Sequence, residues 1–391
     1  MDIDARIRRR QRRKGGPQLI RDVDALSPVT HVNDPADRGP IFEGLLDHLD
    51  PVFDGNLPPN AYLHGPAGAG KSAVVTALFA HLERMSTETG AVIHTSTRAG
   101  SPTSPGFIYI DTRQSASPFS FYHDILDAIV EDPVPEHGVS TDRLRDQLHD
   151  QLGSAHAGVV IAVDHVGEPG SLDTERLVDL FAALPSSVSW LAVSRADPTE
   201  IPLTTYTATT IAVDQYREQT LVDLLMARAS QGLAQQGLNY EQARQLSEWA
   251  EGNAHDGLAA LYAAARRAEG AGQARLTDAD IEDGMAAVPR PSVALGRILA
   301  LPENKQRVLR VLSELDRTRR VSVTRTAERI GKGDALGLSV GTIERFLYEM
   351  AEAGIVERVP TDRSAAKGRP PSRLELRFPP TVFRHLTEGD R

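Results

Sequence analysis

Residues 60–85 set the narrowest limit on what this chain can become. An apolar run, "NAYLHG" (60–65), passes through "GPAGAGKS" (65–72) into "KSAVVTALFAHLERM" (71–85), where Val74, Leu78, Phe79 and Leu82 recur at helical spacing. Gly65, Gly70, Lys71 and Ser72 occupy the G-x-x-x-x-G-K-[ST] spacing, with Pro66, Ala67, Gly68 and Ala69 completing the turn. Such a strand, turn and helix aim backbone N–H groups at phosphate oxygens, and glycine supplies the backbone angles that the turn needs. Lys71 adds a positive charge toward the outer phosphates, and the Ser72 hydroxyl can ligate magnesium. The expected ligands are therefore ATP or ADP with Mg2+.

Further short apolar runs follow: "GFIYID" (106–111), "GVVIAVD" (158–164), "VSWLAVS" (188–194) and "TTIAV" (209–213), with helical patterns between several of them. Continuous apolar strands alternating with helices predict an α/β fold, a parallel sheet covered on both faces. Asp164 ends one of these strands, where an acid can face Ser72 as a second magnesium ligand; the competing reading is a strand-end turn aspartate. From Gln215 the pattern is wholly helical, and "VPRPS" (288–292) separates it from the tail.

The tail reads as three helices, a strand, a basic loop and a second strand, the order of a winged helix. In the third helix Ile343, Phe346, Leu347 and Met350 form one apolar face, so Arg345 and Tyr348 point the other way with Thr342 at the flank. The loop "TDRSAAKGRPPSR" (361–373) carries Arg363, Lys367, Arg369 and Arg373. The exposed helix face suits a major groove and the loop suits phosphates or a minor groove, so double-stranded DNA is the expected partner. Winged helices also bind proteins and RNA. The expected divisions are a basic arm at 1–29, a nucleotide-binding base at 30–213, a helical segment at 214–290 and the winged helix at 297–391.

Charge distribution agrees. The net charge is −10, yet residues 1–14 hold seven Lys/Arg against two Asp, and residues 297–391 hold nineteen against thirteen Asp/Glu. Basic ends on an acidic body suit a nucleic-acid binder, as they do a solvated surface with a basic tail. Only five of the 43 basic residues are Lys, which fits a salt-loving source or a GC-rich genome. Cysteine is absent, excluding disulfides, thiolate metal sites and thiol nucleophiles, and no stretch reads as a membrane span or signal peptide. The expectation is a cytoplasmic, nucleoid-associated protein with no membrane partner.

Taken in order, the basic arm, "GPAGAGKS", "DTRQSASPFSFYHDILDAI" (111–129), "VDHVGE" (163–168), "WLAVSRAD" (190–197), "AVDQY" (212–216), "EGNAHDGLAAL" (251–261) and the winged-helix tail resemble the archaeal Orc/Cdc-type replication initiators. That resemblance implies an AAA+ ATPase base with a helical lid, origin DNA as target, nucleotide as a conformational switch, and a replicative helicase or further initiator copies as partners. Three positions depart from the family. His165 stands where the family has the Glu that polarises water, Arg195 where its sensor strand ends in Asn, and His255 where its lid carries a phosphate-reading Arg. No trans-acting arginine finger is assignable. A nearby triphosphate favours the imidazolium, which is no base, so tight nucleotide binding with slow or absent hydrolysis is expected. Glu168 reaches the place of the missing Glu if the chain turns helically there, and is otherwise a solvated loop acid. His255 is a phosphate ligand or a plain lid residue. The family inserts a DNA-contacting helix at "SFYHDILDAIVED" (120–132), which here is acidic. The alternative function is a nucleotide-gated winged-helix transcription regulator; a mechanical hexameric ATPase would need the missing Glu and finger Arg.

Overall fold

The computed structural model describes residues 18–31, 38–93, 105–153, 158–332, 336–360 and 372–388. The chain forms two compact units, one of residues 31–215 and one joining residues 1–30 to 216–391. The described residues 18–30 thus group with the second half of the chain and not with the sheet unit that they precede.

In the unit of residues 31–215, strands β1 (Ala61–His64), β2 (Gly106–Asp111), β3 (Val159–Val166), β4 (Val188–Ser194) and β5 (Thr209–Ala212) form a parallel sheet of order β2-β3-β4-β1-β5. Counting helices from the N-terminus, α1 (Val23–Leu26) lies in the other unit, and α2 (Gly39–Leu49) and α3 (Lys71–Ile93) cover one sheet face. Leu45, Leu49, Val74, Val75, Leu78 and Phe79 pack there on Leu63, Val160, Ala162 and Val193. Helices α4 (Pro118–Ile129), α5 (Thr141–Gly153) and α6 (Thr174–Ala182) cover the opposite face, on Ile108, Ile110, Ile161, Val163 and Trp190. The alternate residues of β3 thus serve two cores, which explains why it reads as continuously apolar.

The second unit contains α7 (Glu218–Gly232), α8 (Tyr240–Ala250), α9 (Ala254–Gly270) and α10 (Asp278–Ala286), then α11 (Leu295–Leu299), α12 (Glu303–Glu314), α13 (Val323–Gly331) and α14 (Val340–Glu352). The antiparallel hairpin β6 (Val356–Pro360) and β7 (Ser372–Leu376) and helix α15 (Pro380–Glu388) complete it. Alanines along α9 let its neighbours approach closely; a Cβ on Gly284 of α10 would stand 2.4 Å from the Ala260 carbonyl oxygen. Helices α12, α13 and α14 and the hairpin β6–β7 follow in the order expected of a winged helix.

Contacts fasten two segments of this unit. At "VPRPS", Arg290 donates to the Trp249 carbonyl at 2.7 Å and lies over the Trp249 ring, and just beyond it Val293 N–H donates to the Arg377 carbonyl. The N-terminal segment is tied by Arg228, a buried residue of α7 whose guanidinium donates to the carbonyls of Ala25, Ser27 and Thr30. Arg21 N–H and Ala234 N–H add backbone bonds to the Gly232 and Leu19 carbonyls. No helix among the described residues is long and apolar enough to cross a membrane.

The units differ in charge. Residues 31–215 hold nine Lys/Arg against 25 Asp/Glu, a net −16, so the remainder carries +6.

Candidate functional site

Strand β1 ends at His64 and the turn to α3 begins with Gly65, where a Cβ would lie 2.1 Å from the Val213 carbonyl oxygen. Gly68 and Gly70 take left-handed angles, φ 70° and 83°. Lys71, the first residue of α3, folds its ammonium back to donate to the Gly65 and Pro66 carbonyls at 2.7 and 2.8 Å. Burial lowers its pKa to about 8, against the pull of Asp164 and Glu168 and with the push of Arg195 and Arg38. Arg38 is a site residue that sequence reasoning misses. It is buried and donates to the Ala69 carbonyl at 2.6 Å and the Asp214 carbonyl at 3.2 Å, bracing the loop from beneath. Its signal in the sequence is faint: a lone Arg before a Gly-Pro helix start.

Asp164 is buried near the end of β3, in register with Asp111 on β2. One carboxylate oxygen accepts from the Tyr109 hydroxyl at 2.7 Å and the other from the His165 N–H at 2.6 Å. Burial and the Asp164 carboxylate both raise the Tyr109 pKa, so the phenol stays a donor. Tyr109 becomes legible only once β2 is placed beside β3.

His165 takes φ 64°, an uncommon left-handed conformation for a side-chain-bearing residue, where the β3–β4 register shifts between Val163 and Val166. Its ring lies between two acids, Nδ1 3.2 Å from Glu168 Oε1 and Nε2 3.6 Å from Asp164 Oδ2. A carboxylate only accepts, so Nδ1 facing Glu168 is a donor. Glu168 is not a solvated loop acid. A tight turn, Glu168 N–H to the His165 carbonyl at 3.2 Å, brings it back to the strand end, where it is buried and paired with Arg195 Nη2 at 3.0 Å. Burial would raise its pKa, but the His165 hydrogen bond and the Arg195, His165 and Arg113 charges outweigh that and hold it at about 2. Arg195 follows β4, and the backbone on either side is pinned: Ser194 Oγ donates to the Val166 carbonyl at 2.7 Å and the Tyr62 hydroxyl to the Ala196 carbonyl at 3.0 Å.

The phosphate loop, Asp164, His165, Glu168 and Arg195 therefore belong to one site. Its donors fit a magnesium nucleotide: the start of α3 has N–H groups without helical partners, Lys71 contributes the ammonium, and each Asp164 oxygen accepts one bond, keeping a lone pair for a cation shared with Ser72. Bound magnesium would neutralise charge on the outer phosphates.

His255 belongs to the other unit, and its ring is already in use. Nδ1 faces Asp256 Oδ1 at 3.1 Å and Nε2 accepts from the Leu295 N–H at 2.9 Å, fastening α9 to the start of α11. As placed, both ring nitrogens are engaged within this unit, so the phosphate-ligand reading draws no support from this geometry.

On the winged helix, Ile343, Leu347 and Met350 are buried as expected, while Phe346 is only partly buried. The Arg345 and Tyr348 side chains are exposed, Arg345 over the Phe346 ring and Arg358 over the Tyr348 ring at 4.9 Å. Ser339 caps α14, its Oγ accepting from the Thr342 N–H at 3.1 Å, and Arg373 pairs with Glu375 at 2.7 Å. Arg363, Lys367 and Arg369 lie outside the described residues.

Residues 36–193 match the family model of the AAA ATPase domain. The chain is 28% identical over 159 residues to ORC1-type DNA replication protein 5 of Halobacterium salinarum, a match covering 39% of this chain and 34% of that relative. It is 25% identical over 271 residues to ORC1-type DNA replication protein 9 of the same organism, covering 66% and 69%. The first of these matches spans about a third of the relative's length. In fold, the chain is similar to the Aeropyrum pernix ORC1 protein solved in complex with DNA (TM-score 0.62, 20% identity, 95% of this chain and 97% of that one). It is likewise similar to Cdc6p from Pyrobaculum aerophilum (TM-score 0.54, 17% identity, 95% and 99%). Residues 36–193 are thus similar to the AAA ATPase domain, and in sequence and fold together the chain resembles the archaeal Orc/Cdc-type initiators.

Proposed function

We propose that the protein is a replication initiator that grips origin DNA through its winged helix, with a bound nucleotide as conformational switch and hydrolysis slow or absent. The observation that carries the DNA reading is the segregation of charge. The phosphate loop lies in a unit of net −16, whereas the exposed Arg345 and Tyr348 face of α14 lies in the unit of net +6. Duplex DNA enters from the likeness to an initiator solved with DNA, and the replication role from the names of the sequence relatives. The acidic α4, which includes Asp124 and Asp127, argues against a second DNA contact from the AAA ATPase domain.

Slow hydrolysis is inferred from His165, which stands where the resemblance expects a water-polarising Glu: Nδ1 is committed to Glu168 and Nε2 faces the Asp164 carboxylate at 3.6 Å, and loss of a positioned base typically costs about 10²–10⁴ in rate. His165→Glu should recover much of that factor; wild-type turnover at ordinary AAA ATPase rates, unmoved by the substitution, contradicts this reading. For the function as a whole, DNA affinity is measured at fixed salt with the protein empty and filled with ATP and Mg2+. Equal affinity in both states, or failure to retain nucleotide, removes the switch. A nucleotide-gated transcription regulator would share the same site; occupancy at promoters instead of origins would favour it.

A further inference from the structure

Glu168 is the group at the nucleotide site whose placement the proposed function leaves unexplained. It is buried on the turn after β3, paired through one carboxylate oxygen with both His165 and Arg195, while Oε2 has no hydrogen-bond partner among the described residues. A buried carboxylate this poorly satisfied is costly unless cations hold it. The Arg195 side chain is the opposite case, 38% exposed on a backbone pinned at Ser194 and Ala196. Its guanidinium can therefore swing without moving β4. Ser194 at the end of β4 is in register with His64 at the end of β1, so Arg195, with Glu168 paired to it, follows beside Gly65 where the phosphate loop begins.

We propose that Glu168 is a specificity-determining counter-ion: it holds Arg195 while the outer-phosphate position is empty and surrenders it to the terminal phosphate of a nucleoside triphosphate. This rests on the nucleotide reading of the loop. Glu168 keeps its hydrogen bond from His165 Nδ1 after the exchange, so the acid is not left without a donor. A diphosphate lacks the oxygens that would draw Arg195 off, and the Glu168–Arg195 pair persists. The exchange makes the site sense the third phosphate without breaking a bond in it, which suits a protein that reads nucleotide state and turns over slowly.

The test is a double-mutant cycle on the full chain, titrating ADP and a non-hydrolysable ATP analogue, each with Mg2+, into wild type, Glu168→Gln, Arg195→Gln and the double variant. Arg195→Gln should weaken the triphosphate analogue by about tenfold and leave ADP within about twofold, as expected for removal of one charge-assisted hydrogen bond. Glu168→Gln should raise the triphosphate-to-diphosphate affinity ratio severalfold in the wild-type background and leave it unchanged in the Arg195→Gln background. An unmoved ratio, or the same shift in both backgrounds, overturns the proposal and leaves Glu168 a structural acid. Wild type that binds neither nucleotide instead refutes the reading of the loop. Should Glu168→Gln not fold, the Arg195 guanidinium resonance in wild type carries the test: it must shift with the triphosphate analogue and not with ADP. A shift with both or with neither sinks the exchange.

Discussion

Arg228→Met removes the tie that joins the N-terminal segment to α7 while keeping most of the volume of the buried stem. Three carbonyls lose their donor. Thr30 is exposed and its carbonyl can turn to water, but Ala25 and Ser27 are buried at the end of α1. Each orphaned internal carbonyl costs about 1–3 kcal/mol. Burial lowers the Arg228 pKa, so removing that charge returns part of the cost, and a net destabilisation of about 2–4 kcal/mol is expected. The effect should be local, because the carbonyls that accept from the guanidinium, those of Ala25, Ser27 and Thr30, all lie in the N-terminal segment. Native-state hydrogen exchange reads it at the Arg21 and Ala234 amides, whose acceptors are the Gly232 and Leu19 carbonyls. Their protection should fall by about 30–1000-fold while amides in the middle of α9 keep theirs. Arg228→Lys, with a single donor head, should fall between. Unchanged protection at Arg21 and Ala234 in a folded Arg228→Met protein would mean that the bonds are geometric coincidence and that the segment is held by Leu19, Ile20 and Leu26 alone.

Other perturbations test the site and the wing. Gly65→Ala places a methyl 2.1 Å from the Val213 carbonyl oxygen, so the loop must reshape and nucleotide affinity should drop more than about tenfold in a calorimetric titration; an unaltered affinity would show that the loop is not the cradle. Glu168 has its folded pKa lowered from 4.5 to about 2, so its stabilising contribution is complete above pH 4.5 and disappears as pH falls toward 2. That contribution is about 3 kcal/mol, and the urea-unfolding difference between wild type and Glu168→Gln should shrink below about pH 4.5; a constant difference rules out the shift. Alanine at Lys367, Arg369 and Arg373 together should reduce the slope of log K against log salt by about 0.9 for each DNA phosphate that is no longer neutralised, and an unaltered slope means that the wing touches no phosphate.

The sheet, its two covers and the winged helix are legible in the sequence because each rests on a local period: continuous apolar strands, helical spacing in α3, the face of Ile343, Leu347 and Met350. The phosphate loop is legible because its chemistry is contiguous in the chain. What escapes is whatever depends on strand order or on distant neighbours. Tyr109 meets Asp164 only because β2 lies beside β3, and Arg38 meets Ala69 across 31 residues. Glu168 is visible as a candidate, but its burial depends on the left-handed turn at His165, which no local rule predicts for histidine. The tie of the N-terminal segment to the helical half is likewise hidden in the sequence: Arg228 reads as an ordinary helix arginine until its three acceptors, about two hundred residues earlier, are known.

The separation of charge bears on how a nucleotide can matter to DNA at all. If the acidic unit repels phosphate and the basic unit holds it, the nucleotide adds no favourable contact to the duplex, and its influence must pass through a conformational equilibrium. Linkage then imposes a symmetry: whatever factor ATP contributes to DNA affinity, DNA must contribute to ATP affinity, and a tenfold effect corresponds to about 1.4 kcal/mol in both directions. The check is to titrate nucleotide with and without saturating duplex, at two salt concentrations. Salt weakens the grip on the duplex strongly but should leave the coupling factor nearly constant, since the coupling resides within the protein. A factor that vanishes along with the electrostatic affinity would instead mean that the bound phosphates act on the duplex through their own field, and the nucleotide would be a charge to be screened, not a switch.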